Sequence, residues 1–348
     1  MKKYKILFVC VLVVALVGGM FAGCSGSTST TNTPTTQTQD TQKEPEKIII
    51  RIGHINSPGT PIDEGCNKFK ELIEKRSNGQ IEVQVFHSGQ LGTETDMVDG
   101  LQMGSCEMVA AGDGPVSTFT PQYAAISMPF TFRDQDHFDN VLKGPIGEEI
   151  NQAMIAAKNV RVVSWWANGP RYLMGKKPMP SPADLKGVKM RVPEMPVYTE
   201  TWKRIGALAV PINFGELYTS LQQGVVDAAE QPLGDLYQAS FHEITKYIMR
   251  TQHVFYGNMI LISEKFYKSL TPELQQALMS SVEDARVFTK EYVYNEESNY
   301  EKKIIEGGAQ FVDVDRDAYV KMIEGLPLEL EKQLNWKPGL WQQIVDTK

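Results

Sequence analysis

Strand-like and helix-like apolar patterns alternate in the first half of the chain. Ile62, Cys66, Phe69 and Ile73 recur at helical spacing, whereas residues 81–85 alternate between apolar and polar side chains. The predicted elements, in order, are a strand at 50–55, a helix that runs to about Arg76, a strand at 81–85, a helix ending at Gly104 and a strand at 106–111. Strands that alternate with helices through short connections predict a mostly parallel sheet flanked by helices.

The second half of the chain repeats this order of elements. Its predicted elements are strands at 188–192, 209–212 and 225–229 and helices at 197–205 and 216–223. Residues 101–107 (LQMGSCE) and 221–227 (LQQGVVD) lie 120 positions apart, and both are predicted to end a helix and open a strand. In both copies an acidic residue stands three positions after the glycine. The repeat predicts two lobes built alike.

A long helical pattern follows from Pro272 to about Gly307, beyond the usual length of a globular helix. We expect it to lie across both lobes. The predicted first lobe comprises residues 48–168 and about 256–290, and the second comprises 169–255 and about 291–348. The predicted fold class is therefore a two-lobed α/β protein.

The N-terminus has the order of a secretory signal, with three early lysines, an apolar run at 6–17 and small residues ending in Ala22-Gly23-Cys24. That ending resembles a bacterial lipobox, which predicts a lipoprotein signal peptide at 1–23 and an acylated Cys24. The alternative is an uncleaved anchor helix, although the apolar run is short for a span of about 20 residues. Residues 24–47 are polar and predict a disordered tether. Either interpretation places residues 25 onward outside the cytoplasmic membrane.

Charge and cysteine content narrow the possible partners. The formal charge is −7, and loss of the three lysines in residues 1–23 leaves −10, which argues against nucleic acid as a partner. Cys66 and Cys106 remain in an oxidising compartment, where a disulfide is possible, but two separate buried thiols are favoured. The five histidines show no metal-ligand spacing, and no nucleophile elbow, zinc-protease or P-loop motif is present. We therefore predict no metal, no cofactor and no enzymatic activity.

Arg191 is the strongest candidate for ligand chemistry. It stands near the end of a predicted strand that Pro193 cannot continue. In open parallel sheets, ligands bind beyond the carboxyl ends of the strands, and a guanidinium can pair with a carboxylate through two hydrogen bonds. The alternative is a surface or interlobe salt bridge. The residues alone leave the two interpretations open.

Residues 184–232 carry a specific family signature. The segment runs DLKGVKMRVP, then IGALAVPINFGELYTSLQQGVVDAAEQP. It resembles the motif of the solute-binding proteins of TRAP (tripartite ATP-independent periplasmic) transporters, the DctP family. Residues 90–92, 165–171 and 251–253 also fit, so the resemblance extends over nearly the whole body. It implies the two-lobed fold of class II-like periplasmic binding proteins.

The resemblance also implies which residues contact the ligand. Arg191 takes the place of the arginine that pairs with the ligand carboxylate, and Arg171 that of a second, more variable arginine. Phe214 takes the place of an aromatic residue that packs on the ligand. Gln231 replaces the usual asparagine, which lengthens the side chain by one methylene. Glu94 aligns with a polar contact of the first lobe, although a solvated acid at a helix start would explain it as well.

By this resemblance the protein captures a small organic acid and delivers it to the small and large integral membrane subunits of a TRAP transporter. A sugar acid such as a hexuronate is the first prediction, because two arginines, Gln231 and several aromatic residues suit a polyhydroxy acid. C4-dicarboxylates, sialic acid, 2-oxo acids and ectoine-like solutes are also bound within the family. A ligand-sensing receptor and, less favoured, an extracytoplasmic enzyme are the alternatives on the same scaffold. The oligomeric state is left open.

Overall fold

The computed structural model describes residues 47–348. The predicted signal peptide, Cys24 and residues 24–46 of the predicted tether therefore lie outside the described residues. Within the described range, no helix combines the length and the apolar character needed to span a membrane.

Two sheets and their flanking helices make up the described residues. The strands are β1 (Ile48–Gly53), β2 (Ile81–Phe86), β3 (Met108–Ala111), β4 (Val160–Ala167), β5 (Arg171–Gly175), β6 (Lys189–Val192), β7 (Leu208–Pro211), β8 (Ala228–Pro232), β9 (Tyr247–Val254), β10 (Gly257–Ser263) and β11 (Gln310–Val312). The helices are α1 (Pro61–Arg76), α2 (Glu94–Met103), α3 (Gly114–Phe119), α4 (Gln135–Lys143), α5 (Pro145–Lys158), α6 (Pro196–Ile205), α7 (Leu217–Gln222), α8 (Leu233–Gln238), α9 (Glu264–Ser269), α10 (Pro272–Glu306), α11 (Arg316–Met322), α12 (Leu326–Gln333) and α13 (Leu340–Asp346). Short 3-10 helices cover Pro121–Ser127, Pro182–Leu185, Phe214–Glu216 and Phe241–Glu243.

Each sheet combines a parallel core with antiparallel strands. The first has the order β2-β1-β3-β10-β4, in which β1, β2 and β3 run parallel and β10 is antiparallel to both of its neighbours. The second has the order β11-β9-β5-β8-β6-β7, in which β8, β6 and β7 run parallel. The two-lobed α/β fold predicted from the sequence is confirmed. The sheets are mixed because β10 in the first lobe and β5 in the second pair antiparallel with both neighbours.

Two short connections and one long helix join the lobes. Residues 168–170 lead from β4 in the first sheet to β5 in the second, and residues 255–256 lead from β9 back to β10. We call these segments the interlobe connections. Helix α10 is continuous over 35 residues. It accepts a hydrogen bond from Trp166 of the first lobe at the Val282 carbonyl (3.1 Å) and one from Tyr172 of the second lobe at Glu297 (2.6 Å).

The C-terminal segment forms hydrogen bonds with the first lobe. The backbone N–H of Lys337 donates to the carbonyl of Gln122 (2.7 Å), and His137 Nε2 lies 2.8 Å from the Ile344 carbonyl oxygen. This segment belongs to the range that the sequence analysis assigns to the second lobe. Contacts of this kind do not fix where one lobe ends and the other begins, so the lobe boundaries stay a prediction.

Cys66 and Cys106 are free thiols in separate places. Cys66 is fully buried beside Phe69 and Trp166, whereas Cys106 packs near Met97 in another apolar cluster. Burial raises the pKa of both thiols, that of Cys106 to about 11. The interpretation as two separate buried thiols is confirmed.

Candidate functional site

A cavity of about 440 Å³ is lined by both lobes. Its walls follow the carboxyl ends of the parallel strands, where ligands bind in open α/β sheets. From the first lobe come residues 55–56 after β1 and 112–115 after β3, and from the second come 193–195 after β6 and 213–214 after β7. All five ligand-binding residues predicted from the sequence line this cavity: Arg191, Arg171, Phe214, Gln231 and Glu94.

Arg191 is a buried cation without an ion-pair partner among the described residues. Its side chain lies on β6, and only 3% of the residue is exposed. Its Nε–H donates to the backbone carbonyl of Ile212 (2.8 Å). Across residues 47–348, no carboxylate comes within 4.0 Å of its guanidinium nitrogens. Burial lowers the pKa of Arg191 to about 10, partly offset by the charge of Glu230, so the group still carries its charge at neutral pH.

Arg171 is held by Glu230 on the neighbouring strand β8. Its Nε–H and one Nη–H donate to the two carboxylate oxygens of Glu230, and the same terminal nitrogen also donates to the Glu230 carbonyl (2.9 Å). His253 Nε2 lies 3.2 Å from the carboxylate, and all three side chains are buried. Burial alone would raise the pKa of Glu230, but Arg171 and His253 bring it down to about 2. Arg171 therefore reaches the cavity with most of its hydrogen-bonding capacity already used.

Phe214 and Gln231 both belong to the second-lobe wall of the cavity. Phe214 is half-buried in a 3-10 turn that follows β7. Its ring packs edge-on against Phe241, with 5.8 Å between centroids and an interplanar angle of 81°. Gln231 lies on β8 opposite Tyr172 and is 3% exposed.

Glu94 begins helix α2, and its carboxylate accepts a hydrogen bond from the backbone N–H of Gly112 (2.7 Å). The side chain is half-buried at the cavity instead of being solvated at a free helix end. Burial, together with the nearby charge of Asp113, raises the pKa of Glu94 to about 7, although the Gly112 hydrogen bond and the two arginines oppose this shift.

The sequence analysis missed a group of oxygen-bearing side chains around the cavity. Asp235 is 2% exposed and accepts hydrogen bonds from the side-chain amides of Asn56 (2.8 Å) and Asn168 (3.0 Å). Burial raises the pKa values of Asp235 and of Asp113, which also lines the cavity. Asn56 and Asp235 are 179 residues apart, so no local pattern could have paired them.

The sequence model of the bacterial extracellular solute-binding protein family 7, the DctP family, matches residues 52–332. The chain belongs to this family. As a TRAP solute-binding protein it shares its fold with solved members of that group.

A solute-binding protein of Roseobacter denitrificans is 32% identical over 274 residues, which cover 79% of this chain and 84% of that protein. Its crystal structure with bound L-galactonate has a TM-score of 0.78 at 30% identity and covers 83% of this chain and 98% of that one. The 2,3-diketo-L-gulonate-binding periplasmic protein of Escherichia coli is 29% identical, with 78% of this chain and 83% of that protein covered. The structure from Bordetella, with density interpreted as pantoate, has a TM-score of 0.81 at 29% identity and covers 87% of this chain and all of that one.

These relatives are solute-binding proteins and not enzymes, which supports a binding role for this solute-binding protein. Family membership also supports an extracytoplasmic location. Among residues 47–348, no group of three or more His, Cys, Asp and Glu side chains is arranged to hold a metal ion. The lipid anchor stays a prediction.

Proposed function

We propose that this protein captures a sugar monocarboxylic acid by pairing its carboxylate with Arg191, and delivers it to the integral membrane subunits of a TRAP transporter. The observation that carries the proposal is the buried guanidinium of Arg191, which lines a cavity formed by both lobes and has no carboxylate partner within residues 47–348. A buried charge is costly unless it is paired, and a ligand carboxylate would supply the pair.

The oxygen-rich remainder of the cavity favours a ligand with many hydroxyl groups. Glu94, Asp113 and Asp235 line the cavity together with Asn56 and Asn258, whose side-chain carbonyl oxygens have no hydrogen-bond partner among the described residues. Hydroxyl groups donate to such acceptors, whereas a second carboxylate would be repelled by them. L-galactonate and 2,3-diketo-L-gulonate, named for two relatives, are sugar acids of this kind. A hexuronate has the same single carboxylate and hydroxyl chain.

Capture would involve both lobes. A ligand that touches Arg191 and Phe214 on the second lobe and Glu94 on the first stabilises the arrangement in which these walls approach each other. Arg171 and Gln231 would add polar contacts. The closed protein would then present its ligand to the small and large membrane subunits, with the predicted Cys24 lipid keeping the protein at the membrane.

Calorimetric titration with L-galactonate, D-glucuronate and succinate tests the proposal. We expect both sugar acids to bind and succinate to bind far more weakly. Arg191→Ala should weaken sugar-acid binding by about 2–5 kcal/mol, which is roughly 30-fold to several thousand-fold. Arg204→Ala is a matched control, because Arg204 forms an ion pair with Glu329 away from the cavity. Unchanged affinity in Arg191→Ala would exclude Arg191 as the carboxylate partner, and tighter binding of succinate would exclude the ligand class.

A further inference from the structure

A second cavity, of about 210 Å³, is lined by residues of both interlobe connections and shares no lining residue with the ligand site. Arg171 and Tyr256 line the ligand site, whereas their chain neighbours Pro170 and Phe255 line this second cavity. Helix α10 contributes Val293 and residues near it, and Asp134, Gln135 and Gln252 complete the wall. The cavity therefore touches both interlobe connections and the long helix that runs along both lobes.

Two of the three charged residues that line this cavity are acidic. The carboxylates of Asp134 and Glu297 belong to lining residues. Lys290 also lines the cavity, but its ammonium group is paired with Asp136 (2.6 Å) and with Asp139 (2.7 Å), which it shares with Arg286 (3.5 Å). Glu297 is half-buried and accepts one hydrogen bond, from the hydroxyl of Tyr172 (2.6 Å), which leaves its second oxygen available.

A buried side chain at the cavity has an unused acceptor. Gln135 is 6% exposed, and its amide nitrogen donates to Asp139 (3.1 Å). Its side-chain carbonyl oxygen has no hydrogen-bond partner among the described residues. The aromatic rings of Phe255 and Tyr294 also belong to lining residues, and Tyr294 is 57% exposed, so the cavity opens toward solvent there. Carboxylates, a free carbonyl oxygen and aromatic faces are groups that bind an ammonium ion.

We propose that this cavity binds a small organic cation carrying an ammonium group, and that the bound cation strengthens the capture of the acid. The second part rests on the proposed function. Both cavities are present in the same arrangement of the lobes. In that arrangement the second cavity borders the connections and α10, and residues of both lobes line the acid site. A cation that fits the cavity stabilises that arrangement, so binding at either site favours binding at the other.

The first experiment measures cation binding without any acid. Choline chloride, whose cationic group suits the carboxylates and aromatic faces and whose hydroxyl can donate to the free carbonyl oxygen of Gln135, is titrated against the protein by NMR at constant ionic strength, with sodium chloride in the reference. We expect saturable shifts in residues around Val293 and at least 10-fold weaker binding in Glu297→Gln, where the new carboxamide can still accept from Tyr172. Val293→Trp, which fills the cavity, should also abolish binding. Glu296→Gln, a neighbouring change outside the cavity, should bind choline as the wild type does.

The second experiment measures coupling. Saturating choline should tighten L-galactonate binding at least about 5-fold, and L-galactonate should tighten choline binding by the same factor, because coupling between two sites is reciprocal. No saturable binding of choline, or equal binding in Glu297→Gln, would overturn the site. Saturable binding that leaves the acid affinity unchanged would overturn the coupling. Choline binding in a protein that binds none of the acids would reject the proposed function and keep the cation site.

Discussion

At the scale of single residues, the two arginines of the cavity differ in how their charge is balanced. The guanidinium of Arg171 is paired with Glu230 inside the protein, whereas that of Arg191 has a backbone carbonyl as its partner. The charge of Arg171 is one of the causes that lower the pKa of Arg191. We infer that Arg171 is a fixed part of the wall and that Arg191 is the cation that a ligand carboxylate would neutralise.

Glu230→Gln should destabilise the protein strongly. The change leaves the buried Arg171 without its counter-charge, and breaking a buried pair from one side costs about 3–5 kcal/mol. Urea unfolding at neutral pH measures the loss. Glu329→Gln is the matched control, because its ion pair with Arg204 is exposed and should contribute less than about 1 kcal/mol. Equal losses in the two variants would mean that the buried pair does not stabilise the fold as its geometry indicates.

Glu94 should make stability depend on pH. Its pKa is raised to about 7 in the folded protein from an ordinary value of 4.5. A raised folded pKa gives a stabilisation that is complete below about pH 4.5 and is lost as the pH rises through about 7. Relative to Glu94→Gln, the wild type should therefore lose up to about 3 kcal/mol of unfolding free energy between pH 5 and pH 8. The exposed Glu216→Gln serves as control, and parallel pH profiles for wild type and Glu94→Gln would refute the assignment.

At the scale of elements, the sequence repeat corresponds to a repeat in backbone hydrogen bonding. The strand β3 starts at Met108, four positions after Gly104, and β8 starts at Ala228, four positions after Gly224. The N–H of Glu107 donates to the Arg51 carbonyl, and the N–H of Asp227 donates to the Lys189 carbonyl. Each acidic residue of the repeat thus joins its segment to the first parallel strand of its own lobe.

Gly104→Ala and Gly224→Ala should each destabilise their lobe by about 1–2 kcal/mol. Both glycines have positive φ values, 77° and 73°, which cost an L-residue energy. An added Cβ would meet nothing within 4 Å at Gly104 and only the Lys176 ammonium at 3.9 Å at Gly224, so the cost comes from the backbone alone. The loss of unfolding free energy is measured from the shift of the urea denaturation midpoint, provided that the m-value is unchanged. The control is Gly215→Ala, at a glycine without positive φ, and losses equal to that control would contradict the argument.

The sequence predicts best those elements whose partners are close along the chain. Helix α1 and the parallel strands follow from local periodicity, and α10 from its length. The predicted start of the strand at Val225 was three residues too early, because the N–H of Val225 still bonds the Ser220 carbonyl at the end of α7. The antiparallel position of β10 between β3 and β4 depends on contacts between residues that are far apart in the sequence. The hydrogen bonds of Asp235 with Asn56 and Asn168 depend on such contacts too. The position of Arg191 beside the cavity could be predicted because a strand end and a proline mark it locally, whereas its pairing with a ligand carboxylate stays a prediction.

At the scale of the whole molecule, the ligand site adjoins the interlobe connections and includes Tyr256 of the second one. Arg171 follows the first connection directly, and Tyr256 ends the second, with its ring 5.2 Å from the Arg171 guanidinium carbon. Asn168 of the first connection donates to Asp235 of the second lobe and lies 2.9 Å from the Tyr256 hydroxyl. A change in lobe orientation would therefore move the groups that line the acid site, which is how the proposed capture would be coupled to the proposed closure.

Saturating L-galactonate should both compact and stabilise the protein. A ligand that bridges the lobes favours the closed arrangement, so the radius of gyration measured by small-angle X-ray scattering should fall. At 100 times its dissociation constant the ligand adds about 2.7 kcal/mol, which should raise the melting temperature by several degrees. At the same concentration both effects should be smaller in Arg191→Ala than in the wild type, because the variant is less saturated, whereas Arg204→Ala should show both in full. A rise in melting temperature without a change in the radius of gyration would mean that the acid binds between lobes that are already closed, and the proposed closure would then be wrong even though capture stands.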